Sequence, residues 1–238
     1  MKSTFTSFIA LFTLLLLFIS PESALSQVQD EANISSSEMR NLLNSNQIPL
    51  HRATNVEGSP YMFDEFYEGV VALNNGHTTQ PLQIRYNTHT QSVDFMSGNL
   101  AFNVEGENIE SFHFTANGRE YKFMKGYDAS RLSEEDFVEV VVDGEVKFLA
   151  RHHTAFFEDA ASYGSATKNN IYRSDVTYYI KVGDKSPERL RSLNKRRVMN
   201  NLERFEDELE QYADQNNIDF SEKEDVAKLV RYCNSLVE

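Results

Sequence analysis

Between residues 60 and 183 apolar and polar side chains alternate in short runs, and most of these runs end at a glycine or asparagine corner. Leu82, Ile84 and Tyr86 alternate with Gln83 and Arg85, and Val93 and Phe95 repeat the pattern after a polar turn. Ser97-Gly98-Asn99 leads to Leu100, Phe102 and Val104; Glu105-Gly106-Glu107 leads to Ile109, Phe112 and Phe114; Asn117-Gly118 leads to Tyr121 and Phe123. Successive side chains of a strand point to opposite faces, so this alternation predicts pleated strands with one apolar side. Phe66 to Leu73 reads as a further strand ending at the Asn75-Gly76 turn, and Ile171 to Val182 as the last of the series. The plainest hairpin has Val138, Val140 and Val142 running into Asp143-Gly144, then Val146, Phe148 and Ala150 running out. Asp-Gly accepts the positive φ angles of a tight hairpin turn. Phe137, Val141 and Leu149 make both faces of this hairpin apolar, which suits a central pair of strands covered on both sides.

After residue 184 the period changes. Ser186-Pro187 reads as a helix entrance, with serine capping and proline in the first turn. Helical spacing then continues, with breaks, through Leu190, Leu193, Val198, Leu202, Phe205, Leu209 and Tyr212 to about Gln215. Ser221 and Glu224 have the spacing of a capping box. Val226, Leu229, Val230, Cys233 and Val237 follow as one apolar stripe that must be buried against a neighbour. The fold class expected is α+β: an antiparallel β-meander of about eight to ten strands, as a curved sheet or partly closed barrel, followed by two or three C-terminal helices. The β domain is expected over 59–184, with a helical segment over 185–238 packed on it.

The beginning of the chain has a different character. Lys2, an apolar run from Phe8 to Ile19, a helix-breaking Pro21 and the small residues of Ala24-Leu25-Ser26 have the layout of a signal peptide over 1–26. Cleavage is expected between Ser26 and Gln27. A membrane span needs about 20 apolar residues, more than this run supplies. Residues 27–58 are polar and read as a flexible leader, within which Ser36 to Asn44 has the spacing of a short helix with Met39, Leu42 and Leu43 on one side. Asn33-Ile34-Ser35 matches a glycosylation acceptor, which would matter only on a eukaryotic secretory route and is otherwise a chance match. The only cysteine is Cys233, so an intramolecular disulfide is impossible and the core must stand without one. No cysteine follows the cleavage site to carry a lipid, so the mature protein is expected to be periplasmic or secreted, with no transmembrane span. Its 36 acidic against 23 basic residues, a formal charge of −13, disfavour nucleic acid and anionic membrane surfaces as partners.

Candidate chemistry is sparse. The tandem His152-His153, read as lying near the end of a strand, is the most conspicuous polar feature, but neighbours on a strand face opposite ways and do not easily chelate one ion. Neither HExxH nor a Cys/His cluster accompanies it. His113 lies between Phe112 and Phe114 and marks a solvated sheet face; His51, His77 and His89 fall in leader or turn segments. Ser165 follows Gly164 but lacks the second glycine of a nucleophile elbow. Cys233 on an apolar stripe reads as an inert small hydrophobe. Acids are abundant, as in Glu134-Glu135-Asp136 and Asp64-Glu65, yet sequence spacing does not reveal a pair set across a cleft. Calcium and phosphate loops are missing from the sequence. A basic stretch (Lys185, Arg189, Arg191, Lys195, Arg196, Arg197, Arg204) precedes an acidic one (Glu206, Asp207, Glu208, Glu210, Asp214, Asp219), as expected of solvated helices that pair with each other. No catalytic, cofactor-binding or metal residue is predicted.

Several short motifs in order carry a resemblance: Gly58-Ser59-Pro60-Tyr61, Gly69-Val70-Val71, Ile84-Arg85-Tyr86-Asn87, the Tyr178-Tyr179 strand, Lys195-Arg196-Arg197, and Glu224-Asp225-Val226 through Arg231-Tyr232-Cys233-Asn234. In this order, behind a signal peptide, they resemble a family of uncharacterised exported proteins common in Bacteroidota. The resemblance covers most of the mature chain, implies a bacterial envelope location and implies no catalytic residue. The meander alone is similar to that of half-barrel lipoprotein carriers. The function expected is a non-enzymatic module that binds an apolar small ligand or an envelope protein, needing no cofactor. The alternative is an exported hydrolase whose carboxylates are assembled by folding.

Overall fold

The computed structural model describes residues 33–50, 56–158, 170–202 and 205–237. The proposed Ser26–Gln27 junction, His51 and Gly164-Ser165 lie outside them. Among the described residues fourteen strands make one sheet: β1 (Asn33–Ile34), β2 (Asn46–Ile48), β3 (Val56–Glu57), β4 (Tyr67–Leu73), β5 (Thr78–Thr79), β6 (Leu82–Asn87), β7 (Ser92–Ser97), β8 (Leu100–Val104), β9 (Ile109–Ala116), β10 (Arg119–Met124), β11 (Val138–Val142), β12 (Val146–Phe157), β13 (Asn170–Val182) and β14 (Glu188–Leu190). Among the described residues four α-helices accompany them: α1 (Ser36–Leu42), α2 (Lys195–Met199), α3 (Glu206–Gln215) and α4 (Lys223–Ser235). None is long and apolar enough to cross a membrane.

The sheet runs β14-β13-β12-β11-β10-β9-β4-β6-β7-β8-β2 and remains open. It is two meanders joined where β9 pairs with β4 rather than with β8. That junction forces curvature. Only Glu105 to Asn108, partly wound as a 3₁₀ turn, connect β8 to β9. In a flat sheet the same step would cross four inter-strand gaps, about 19 Å, whereas a 3₁₀ turn advances only about 2 Å per residue. The strands from β4 to β10 therefore curl until β8 and β9 approach each other.

Inside the curl sit Tyr86, Phe95, Phe112, Phe123 and Phe137, all buried, with ring centroids of Phe112 4.8 Å from Phe123 and 5.0 Å from both Tyr86 and Phe137. Close packing explains Gly69 on β4: an added Cβ would lie 2.4 Å from the His113 carbonyl oxygen and 2.6 Å from Ile84 Cδ1. The inner face continues without a break across the other meander. Val71, Phe112, Phe123, Glu139, Ala150, Tyr178 and Leu190 are direct cross-strand neighbours in that order, from β4 to β14. Beyond Glu139 this face is covered by the C-terminal helices: Val198, Met199, Leu202, Leu209, Val226, Leu229, Val230 and Cys233 are buried against Val146, Phe148 and Ile180. The opposite face of that half carries its own small core of Tyr127, Leu132, Val138, Leu149 and Tyr179. The central hairpin is covered on both sides, as its sequence predicts.

Three local expectations are corrected. Ser186-Pro187 does not open a helix: the turn at Gly183, with φ +52°, sends the chain back along β13, and Glu188–Leu190 pairs with Tyr178–Ile180. Asn194 caps the first C-terminal helix instead, its Oδ1 accepting from the Arg197 amide. Ser221 and Glu224 form no capping box. Glu222 is the N-cap, the Ser221 hydroxyl donates to Asp219, and Glu224 pairs with Arg119 on the sheet. The true box is Ser35 with Glu38, which opens α1 and lets Met39 bury itself completely while Leu42 stays exposed. Finally, residues 33–48 are not a loose leader. β1 pairs in parallel with β5, and β2 forms an edge strand against β8.

Candidate functional site

Glu139 is the one charged residue in the inner-face row, and it is 1% exposed. β10 and β11 pair at only two positions, Phe123 with Glu139 and Met124 with Val138, and fork apart beyond Glu139, while β11 is bulged against β12 between Val140 and Val142. Into that fork come Arg119 from β10, His152 from β12 and Lys223 from α4. Arg119 Nη2 donates to Glu139 Oε1 at 2.6 Å, His152 Nε2 lies 2.6 Å from Oε2, and Lys223 Nζ is 3.4 Å from both oxygens. The second guanidinium nitrogen of Arg119 reaches Glu224 on α4. Burial alone would raise the Glu139 pKa, but the His152 hydrogen bond and the charges of His152, Lys223 and Arg119 outweigh it and hold the carboxyl below the usual glutamate value. The acid is ionised, satisfied and shared between sheet and helix. Such an arrangement fixes α4 in place and offers no lone pair to a substrate.

The tandem histidines separate as strand geometry requires. β12 extends well past them, so they lie within the strand rather than at its end. His152 faces Glu139, while His153 is opposite Asp175 on the other side of the sheet, its pKa lowered first by burial and then by Arg151. His113 is exposed on the outer face, His89 Nδ1 lies 2.9 Å from the Thr154 carbonyl oxygen, and Cys233 is buried. The acidic run is spoken for in part: Asp136 pairs with Arg151 at 3.0 Å and Glu135 with Lys125 at 3.5 Å. Of the opposed charge stretches, Lys195 on α2 meets Glu210 on α3 at 2.9 Å. Among the described residues no cluster of three or more His, Cys, Asp or Glu side chains could hold a metal ion.

The aromatic rings of the curl, Tyr86, Phe95, Phe112, Phe123 and Phe137, are buried against one another, and a cavity of about 420 Å³ opens beside Phe112, Phe123, Met124 and Val140. A cavity of about 310 Å³ remains under the helices. Val146, Ile180 and Val182 form its sheet wall and Leu202, Phe205, Cys233 and Val237 its helical wall, with Lys185, Glu145 and Glu188 among its polar lining. Neither Glu139 nor this cleft stands out in the sequence. The one available sign of the first was a charge between valines in an otherwise apolar strand; the second depends on how the helices dock. Compared with protein-family models, curated proteins and solved structures, the chain matched none.

Proposed function

We propose that this is an exported protein of the bacterial envelope that acts by binding rather than by catalysis, and that the cleft between β12–β14 and the C-terminal helices holds a small ligand with an apolar body. The observation that carries the reading is that cleft: Val146, Ile180, Leu202, Phe205 and Val237 give it an apolar wall, and Glu145, Lys185, Glu188 and Asn200 make the rest of its lining polar, so that hydrocarbon and a few polar groups converge on one space. A hydrolase would need two carboxylates facing each other across open space. The buried Glu139 faces three basic side chains instead, and the equally buried Asp94 pairs with Arg85 at 2.9 Å, which weighs toward binding.

Titration of the ¹⁵N-labelled protein with 1-decanol tests the site. Amide shifts should cluster at Val146, Val182 and Cys233, and Val182→Phe, which fills a partly exposed wall of the cleft, should abolish them while leaving the rest of the spectrum intact. Shifts scattered over the surface, or unchanged by Val182→Phe, would remove the cleft as the binding place. Export is tested separately by N-terminal sequencing of the protein recovered from cells, which should begin at Gln27.

A further inference from the structure

Strand β13 is the longest in the sheet, and its two edges are treated differently. One edge pairs with β12 from Ile171 to Val182. On the other, β3 lies alongside Asn170 and Ile171, Gly58 comes up against the Tyr172 carbonyl, and β14 covers Tyr178 to Ile180. Between these two short strands Arg173, Ser174, Asp175 and Val176 are exposed, and among the described residues no strand pairs with them on that side. We propose that this gap receives an extended peptide segment of a partner protein as an added antiparallel strand.

Backbone amides and carbonyls in the middle of a strand already fixed by its other neighbour are a rigid template for such pairing. The gap is about 13 Å long at ~3.3 Å per residue, room for four residues. Because β3 and β14 stand in line at either end, the long β13 of a second copy would collide with them, so the occupant is a short segment and not another β13. Side-chain chemistry sets its sequence. Arg173 and Asp175 point to one face and form no ion pair with another described residue, the Arg173 guanidinium lying instead 5.2 Å from the centre of the Phe157 ring. Ser174 and Val176 point to the other. An antiparallel partner therefore presents, in order, an apolar residue to Val176, a base to Asp175, a small polar residue to Ser174 and an acid to Arg173. Opposite charges directly across a sheet stabilise it and like charges weaken it.

The probe is a blocked hexapeptide of sequence Thr-Val-Lys-Thr-Glu-Thr, added to the ¹⁵N-labelled full chain and followed by amide shifts and hydrogen exchange. It should shift and protect amides between Arg173 and Thr177, and a peptide with its Lys and Glu exchanged should bind about tenfold more weakly. The double variant Arg173→Glu, Asp175→Lys changes only exposed side chains and should reverse that preference. Equal binding of the two peptides, retained binding of an analogue methylated on its backbone nitrogens, or unperturbed amides at this edge would each overturn the proposal.

Discussion

From β4 to β10 the inner face of the sheet is filled by its own aromatic rings, because the curl turns the strands toward one another. From β11 to β14 the same face runs on, and three helices cover it. The difference follows from connection length: a four-residue link between β8 and β9 bends one half, while the hairpins of the other half impose no such closure. A curved sheet supplies its own second layer, whereas one that stays open needs helices, and the space left beneath those helices is where the cleft lies. Glu139 sits where the two solutions meet.

If the curled half is a core in its own right, Phe112→Ala should be the most damaging single change. The ring touches Tyr86, Phe123 and Phe137 and is 2% exposed, and truncating a buried phenylalanine costs about 4 kcal/mol. Urea unfolding followed by helix and by tyrosine signals would show whether both halves lose that stability together. Coincident transitions mean one cooperative unit; a helical signal that stays put would split the molecule at Glu139.

Glu139→Gln tests the seam itself. Losing the carboxylate leaves Arg119, His152 and Lys223 without their shared partner, and breaking a buried ion pair in this way costs about 3 kcal/mol. The pH dependence carries the same information with a definite sign. A carboxyl held below its unfolded pKa adds stability above the ordinary glutamate value, and that stability is lost as pH falls through the lowered one. The wild type should therefore weaken at acid pH more steeply than Glu139→Gln. Equal slopes would mean that the cluster does not link the halves.

A smaller effect is expected at Gly69, where the curl brings β9 and a β6 side chain against the backbone. An added methyl in Gly69→Ala has to displace both the His113 carbonyl and the Ile84 side chain, at about 2 kcal/mol. A glycine without such neighbours, Gly118 in the β9–β10 turn, has open space around its Cβ position and a φ of +74°. There the cost of alanine is conformational alone, about 1 kcal/mol.

The period-two alternation made the strands and their inner face legible before any coordinates, since Ile84, Phe95, Phe112 and Phe123 take the side their spacing predicts. The joining of β9 to β4 was hidden, because which strand pairs with which is a property of the closed circuit and not of any run of residues. Glu139 was hidden for the same reason. Its partners come from residues 119, 152 and 223, and only the fork between β10 and β11 gathers them. Short polar signals were legible in kind but ambiguous in place. Ser-x-x-Glu occurs at Ser35 and again at Ser221, and the spacing is the same in both.

What separates those two serines is competition for the glutamate. At Ser35 no other described residue claims Glu38, so its carboxylate returns to the Ser35 amide at 2.7 Å while the serine hydroxyl accepts from the Glu38 amide. At Ser221 the docking of α4 on the sheet carries Glu224 to Arg119. The helix then starts one residue later, and Asp225 takes over the return bond, to the Asp219 amide at 3.0 Å. Ser35→Ala should thus cost about 1 kcal/mol, the usual worth of an N-cap, while Ser221→Ala should stay within about 0.5 kcal/mol, as for an ordinary surface change. Thermal unfolding of the two variants side by side measures the difference. Should Ser221→Ala prove as costly as Ser35→Ala, Glu224 belongs to the helix cap and not to the sheet, and the tie between the two halves is weaker by one ion pair.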